Sequence, residues 1–115
     1  MIRRKAERAV NVAENRYGGA GQMIMTAILN GQELGDKGRL FTQITLKPGC
    51  GIGLHAHDNE WEAYFIMKGS AELTYDGENS TLTEGDVHLC HAGHSHAVHN
   101  AGPDNLEFVA LILYS

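Results

Sequence analysis

The 115-residue chain contains little cysteine and little proline, with two residues of each. Cys50 and Cys90 are too few to hold a chain of this length together as a disulfide scaffold. We expect each to be a small buried apolar side chain, and only their distance can decide whether a bridge joins them. Apolar runs of the ~20 residues that a membrane-spanning helix needs are also missing, so we expect no membrane association.

Basic residues are scarce beyond the start of the chain. Lysine and arginine together number 9 against 14 aspartate and glutamate residues, which gives a net charge of −5 at pH 7. Because an acidic surface repels phosphate backbones, we expect no nucleic-acid partner. The charged start, Arg3 to Lys5, lacks the apolar segment of a secretory signal after it, which predicts a cytoplasmic protein.

Short strand-like segments separated by turn residues make up most of the sequence. Periods of two, or runs that are apolar on both parities, predict strands over residues 22–29, 40–46, 71–75, 87–90, 96–100 and 106–114. Asp76-Gly77 is a strong hairpin signal, and Glu84-Gly85-Asp86 makes a second tight turn. Turn signals spaced by about 8–12 residues are typical of sandwiches and barrels, so the predicted fold class is all-β.

The start of the chain is set apart from this strand pattern. Apolar residues recur at helical spacing over 2–13, but that signal is weak, and residues 9–12 fit an edge strand equally well. A glycine-rich cluster at 17–21 ends whatever precedes it. We therefore predict an N-terminal arm over residues 1–21 and a single barrel domain over 22–115.

The segment from Gly49 to Gly69 holds the residues with the clearest chemistry. His55 and His57 stand one residue apart, and side chains at that spacing share one face of a β-strand, about 6.5–7 Å from each other. Two imidazoles so placed can converge on one metal ion, whereas a helix would point them to different sides. Glu62 comes five residues after His57, far enough for a turn to bring a second strand back beside the first, where its carboxylate would supply a third ligand.

This segment and a later one together resemble the two sequence motifs of the cupin superfamily. Every marked position of the first motif is filled, by Gly49, His55, His57, Glu62 and Gly69. The second motif is filled by Gly85, Gly93, His96 and Asn100, with His91 in the place of its proline. The resemblance implies a small single-domain bacterial cupin, whose fold is a double-stranded β-helix, or jelly-roll barrel.

The resemblance also implies a metal site in the mouth of the barrel, formed by His55, His57, Glu62 and His96. Three imidazoles and one carboxylate suit a divalent transition metal ion, and ligand softness does not choose among Fe, Mn, Ni, Co, Cu and Zn. Glu60 is a rival for Glu62, but its spacing does not fit the motif. We also expect Glu60 to lie in a turn.

Tyr64 follows Glu62 by two residues, so on a regular strand it faces the same interior. A phenol beside a cation loses its proton more easily, which makes Tyr64 the candidate catalytic residue, as a general base. The simpler role of filling the barrel stays open. Gln43 could share the pocket. Phe65 and Met67 then face outward, and this apolar strand face predicts sheet stacking or a homodimer interface.

The other histidines receive separate predictions. We expect His88 and His91 to be surface or loop residues. His99 has the opposite strand parity to His96, so it should point away from the metal. His94 could reach the rim of the pocket, where it would support a ligand or contact a substrate.

Three functions are consistent with these residues. The favoured one is a metal-dependent enzyme that acts on a small oxygenated or anionic molecule, with isomerase, lyase, decarboxylase and dioxygenase chemistry all open. The alternative is a non-catalytic cupin that binds or senses a small ligand. In the third, the ion is only a structural staple, and its removal would unfold the protein.

Overall fold

Ten strands account for most of the computed structural model, which describes residues 1–115. They are β1 (Val10–Glu14), β2 (Gln22–Leu29), β3 (Gly38–Leu46), β4 (Gly51–Ala56), β5 (Glu60–Lys68), β6 (Ser70–Tyr75), β7 (Glu78–Thr83), β8 (Val87–Cys90), β9 (Ser95–His99) and β10 (Leu106–Tyr114). Helical structure is confined to one turn, α1 (Gly31–Leu34), and to short 3₁₀ turns at Lys5–Glu7 and Arg16–Gly18. The predicted all-β class is confirmed.

The strands form two antiparallel sheets that face each other. One sheet has six strands in the order β1-β2-β3-β10-β5-β8, and the other has four in the order β4-β9-β6-β7. The chain passes repeatedly from one sheet to the other, so neighbours in each sheet are often distant in sequence. This arrangement is the jelly-roll barrel that the resemblance implies, and that prediction is confirmed.

The core lies between the two sheets and follows the period-two rule of strands. Along β10, Phe108, Ala110 and Ile112 are buried, while the residues between them are half-buried on the outer side. A β-strand points alternate side chains to opposite faces, so only one parity of an apolar run can enter the core. Phe65 and Met67 on β5 are exposed on the outer face, as predicted.

The start of the chain adopts the second of the two predicted alternatives. Residues of β1 pair with β2, with Val10 opposite Thr26 and Glu14 opposite Gln22, so this stretch is an edge strand rather than a helix. The division into an arm over 1–21 and a barrel over 22–115 stays a prediction.

The two cysteines are not joined to each other. Both are free, with Cys90 buried and Cys50 half-buried. Burial raises the pKa of the Cys90 thiol to about 11, so it is a neutral side chain at physiological pH, as expected of a small buried residue. None of the helices has the length and apolar character required to traverse a lipid bilayer.

Candidate metal centre

Four side chains from both sheets meet at one end of the barrel. His55 on β4 lies opposite His96 on β9 in the four-stranded sheet, and Glu62 comes from β5 in the facing sheet. His57 directly follows β4 and is fixed by backbone hydrogen bonds to the loop before β9, from its own N–H to the His94 carbonyl and from the Gly93 N–H to its carbonyl. The two histidines that are neighbours in sequence are thus held by different contacts.

The ligand atoms of these four side chains converge on one point. The Nε2 atom of His96 lies 3.0 Å from Glu62 Oε1, 3.0 Å from His55 Nε2 and 3.1 Å from His57 Nε2. The His57 Nε2 atom is also 3.0 Å from Glu62 Oε1. All four atoms fall within 4.8 Å of one another, a set that could hold a metal ion. The structure therefore brings together the four residues that the motifs single out.

The remaining ring nitrogen of each histidine has its own partner. His55 Nδ1 lies 2.7 Å from the Gly53 carbonyl oxygen, and His57 Nδ1 lies 2.6 Å from Glu60 Oε2. Both partners are hydrogen-bond acceptors, which assigns the proton to Nδ1 and leaves Nε2 unprotonated. Such outer hydrogen bonds orient imidazole ligands and raise their basicity. The donor set is prepared for a cation even before one binds.

Glu60 has a different place from the one predicted. It is the first residue of β5 rather than part of a turn, and it is only 8% exposed. Arg39 holds it with two hydrogen bonds of 2.7 Å each, and this guanidinium, with further help from His57, keeps the pKa of Glu60 below its ordinary value. Glu60 therefore does not compete with Glu62 as a ligand. It anchors His57 through the ring nitrogen that faces away from the centre, a role that the motif spacing does not indicate.

His88 is buried at 7% exposure, and the prediction that it is a surface or loop residue is wrong. It lies on β8 one strand from Glu62, and its Nε2 atom is 3.0 Å from His96 Nδ1. Burial, helped by the neighbouring His96, lowers the pKa of His88 to about 4. The Nε2 atom of a neutral His88 can accept a hydrogen bond from the Nδ1–H group of His96, so all three cluster histidines present Nε2 to the centre.

The other three histidines lie outside the cluster. His91 is exposed, as predicted. His94 is also exposed and pairs with Asp76 instead of reaching the pocket rim. His99 lies opposite Gly51 on the outer side of the four-stranded sheet, in agreement with its strand parity.

Opposing effects act on the Glu62 carboxyl group. Burial raises its pKa, but the effect of the surrounding His55, His57 and His96 outweighs the burial, so the net pKa lies well below the ordinary value. Glu62 in turn raises the pKa of His57. The centre thus offers an ionised carboxylate among imidazoles, which is the charge state that a cation needs.

Tyr64 faces the interior beside Glu62, as its position two residues later predicts. It is 1% exposed, and its ring stacks on that of His96 with centroids 5.1 Å apart. Burial, reinforced by the Glu62 charge, raises the pKa of Tyr64 well above its ordinary value. Gln43 does not share the pocket, because it contacts Arg8 and Glu107 on the outer side of the sheet.

A small cavity of about 80 Å³ adjoins the cluster, and one of its walls comes from the N-terminal arm. The Tyr17 ring stacks on His55 with centroids 4.3 Å apart and planes 13° from parallel. Sequence reasoning missed Tyr17 because it set the arm apart from the barrel. The available signal was Gly51-Ile52-Gly53 in β4, since glycine within a strand often marks the close approach of another backbone. A larger groove of about 640 Å³ runs over the outer face of the four-stranded sheet, away from the cluster.

Replacing Gly53 by alanine should displace the turn at Arg16–Gly18 in the N-terminal arm. A Cβ atom at Gly53 would collide with the carbonyl oxygen of Tyr17, and backbone atoms yield less readily than flexible side chains. We expect a loss of about 1–3 kcal/mol in the free energy of unfolding, measured by urea denaturation. Gly31→Ala is the control, because a Cβ atom there meets nothing within 4 Å. Equal stability of the two variants would contradict the packing described here.

Comparisons with known proteins agree with this geometry. The family model described as a cupin domain matches residues 42–112. An oxalate-binding protein of Thermotoga maritima is 34% identical over 113 residues, which cover 98% of this chain and 93% of that protein. A quercetin 2,3-dioxygenase of Bacillus subtilis is 35% identical over 79 residues, but these are only 23% of its length.

Solved structures give the same picture of the fold. The crystal structure of a predicted oxalate decarboxylase from Thermotoga maritima has a TM-score of 0.94 and 34% identity, with 100% of each chain covered. The Cnp3 cupin domain of Schizosaccharomyces pombe has a TM-score of 0.74 at 10% identity and covers 93% of this chain and 70% of that chain. The second likeness bears on the fold alone.

Proposed function

This chain belongs to the cupin family, and we propose that it binds a small carboxylate anion such as oxalate on a divalent transition metal ion. The observation that carries the proposal is the convergence of three imidazole Nε2 atoms and one carboxylate oxygen, all within 4.8 Å. We propose His55, His57, Glu62 and His96 as the metal ligands. The bound ion would supply a Lewis-acidic charge to which an anion can attach.

The chemistry of the donor set fits such an ion. Imidazole nitrogen and carboxylate oxygen are ligands for Fe, Mn, Ni, Co, Cu and Zn, and the set lacks the thiolates that mark many structural zinc sites. Every buried side-chain nitrogen and oxygen atom has a hydrogen-bond partner. Glu60 and His88, which lie behind the ligands, contact the Nδ1 atoms of His57 and His96.

The size of the cavity limits the ligand. A volume of about 80 Å³ is well below the ~300–1,000 Å³ that is usual for pockets that bind larger organic ligands. An anion with a few non-hydrogen atoms fits this space, and oxalate is of that size. The relative named an oxalate-binding protein supports the same ligand class, because its similarity extends over almost the whole of both chains.

Enzymatic turnover is the second candidate function, and the printed names of two relatives favour it: a quercetin dioxygenase and a predicted oxalate decarboxylase. Isomerase and lyase chemistry stay open as well. The proposed role of Tyr64 as a general base stays a prediction. Glu60 is tied to Arg39, so it is not free to carry a proton. Binding of the anion on the ion is common to both candidates, so it is the function that the geometry supports best.

Isothermal titration of oxalate into the metal-loaded protein tests this proposal. We expect oxalate to bind the loaded protein and to bind at least about 100-fold more weakly after chelation, because the ion contributes several kcal/mol. Assays for released carbon dioxide and formate on the same samples decide between binding and turnover. Oxalate affinity that is unchanged by removal of the metal would overturn the proposed function.

We also propose that two copies of the chain associate through the outer face of β5 and β8. Phe65, Met67, Val87 and Leu89 are exposed there, and Phe65 lies opposite Val87 in the sheet. An apolar face next to the edge strand β8 suits a symmetric partner of the same kind. Sedimentation equilibrium should report a dimer that Phe65→Lys dissociates.

The cytoplasmic location and the absence of a nucleic-acid or membrane partner stay predictions.

A further inference from the structure

The cavity beside the cluster has a cationic rim formed by Arg16 and Arg39, both of which line it. Arg39 on β3 uses its Nε and Nη2 atoms for Glu60, which leaves Nη1 for another acceptor. Arg16 forms no ion pair within the protein; its guanidinium carbon lies 4.8 Å from the centroid of the Tyr17 ring. Two guanidinium groups thus have hydrogen-bond donors to spare at the entrance of a cavity that adjoins the proposed ligands.

The backbone of the turn that contains Arg16 has a fixed conformation. Asn15 and Tyr17 on either side have left-handed φ angles of 49° and 51°, which few residues other than glycine adopt. Gly19 in the same turn lies so close to β4 that a Cβ atom there would come within 2.7 Å of the Gly53 nitrogen. This conformation and this close contact fix the backbone at Arg16, and its guanidinium group lies over the Tyr17 ring, so the arm needs little reordering when a ligand binds.

Charge around the cavity favours an anion with two negative groups. The two positive charges of a divalent ion exceed the single negative charge of Glu62 by one. The negative charge of Glu60 balances the positive charge of Arg39. Arg16 therefore adds a second unbalanced positive charge at the entrance. A monoanion would leave one of these charges uncompensated, whereas a dianion would balance both.

We propose that Arg16, together with Nη1 of Arg39, binds the carboxylate oxygens that a chelating dicarboxylate turns away from the metal. Through this contact the site selects a dianion over a monoanion of the same size. The inference rests on the proposed function, because it places the ligand in the cavity beside the ion. It makes the N-terminal arm a part of the binding site, although the metal ligands all lie in the barrel.

Oxalate and glycolate are the probes that test this selection. Both can chelate a metal through two oxygens, but glycolate has a hydroxyl group where oxalate has its second carboxylate. Titrations use the metal-loaded wild type and Arg16→Gln, with metal content measured on each sample. We expect Arg16→Gln to weaken oxalate binding about tenfold, as expected for a charge-assisted hydrogen bond, and to change glycolate binding less than about twofold.

Two further variants control for charge and shape. Lys5→Gln removes the same charge from an exposed position of the arm and should leave both affinities unchanged. Arg16→Lys keeps the charge without the guanidinium plane and should fall between wild type and Arg16→Gln. Arg39 is left intact, because it also holds Glu60 behind the proposed ligand His57.

The outcomes separate this inference from the proposed function. Metal-dependent oxalate binding that Arg16→Gln does not weaken would overturn the inference alone. An equal loss for oxalate and glycolate would do the same, since it would mean a general effect on the cavity. If the metal-loaded wild type binds neither probe, the proposed function and this inference both fail.

Discussion

Replacing Glu62 by alanine is expected to empty the proposed metal centre. Glu62 is the one anionic member of the cluster, and its Oε1 atom lies 3.0 Å from the Nε2 atoms of both His57 and His96. Without it, three neutral imidazoles would have to hold a divalent ion at a buried position with no compensating charge. We expect the metal content of purified protein to fall from about one ion per chain to less than about one-tenth.

Elemental analysis by mass spectrometry measures this loss, with Glu72→Ala as the matched control. Glu72 is an exposed residue of β6, so its removal changes the net charge equally without touching the cluster. Glu62→Gln separates charge from shape, because it retains an oxygen at nearly the same position. Metal content that is unchanged in Glu62→Ala would refute the assignment of this residue as a ligand.

Removal of the metal should lower the melting temperature by about 10–20 °C without unfolding the protein. An ion present at 1,000 times its Kd stabilises the folded state by about 4 kcal/mol, and each kcal/mol shifts the melting temperature of such a domain by several degrees. The hydrophobic core nonetheless consists of 12 buried residues that include none of the four proposed ligands. Its apolar burial persists when the ion leaves.

Circular dichroism with and without a chelator distinguishes the binding site from a structural staple. We expect a β-sheet spectrum at 25 °C in both samples and a lower melting temperature in the chelated one. The melting temperature of Glu62→Ala should not respond to the chelator, because that variant has no ion to lose. A chelated wild type that is unfolded at 25 °C would favour the staple instead.

Much of the fold could be predicted because strands produce a local periodic pattern of apolar residues in the sequence. The predicted segments 22–29, 87–90 and 106–114 coincide with β2, β8 and β10. Alternation of buried and exposed positions depends only on the pleat of the strand itself, so a short window of sequence contains it. The His-x-His spacing is local in the same way, since it depends on one strand face.

The residues behind the proposed ligands have no such local pattern in the sequence. Glu60 is close in sequence to His57, but its role depends on Arg39, which reaches it from another strand. His88 was predicted to be a surface or loop residue. In the structure, β8 pairs with β5, and His88 is buried with its ring against that of His96 on β9. Neither contact follows a periodic pattern, because each depends on which strands become neighbours.

The sequence alone therefore determined the all-β class, most of the strand segments and the four residues that match the cupin motifs. The tertiary structure decided that their ligand atoms meet, which hydrogen bonds hold them, and that Tyr17 and Arg16 of the arm border the cavity. The physical reason is the range of the interactions. Side-chain alternation is encoded residue by residue, whereas a contact between strands distant in sequence exists only after the sheets have formed and packed.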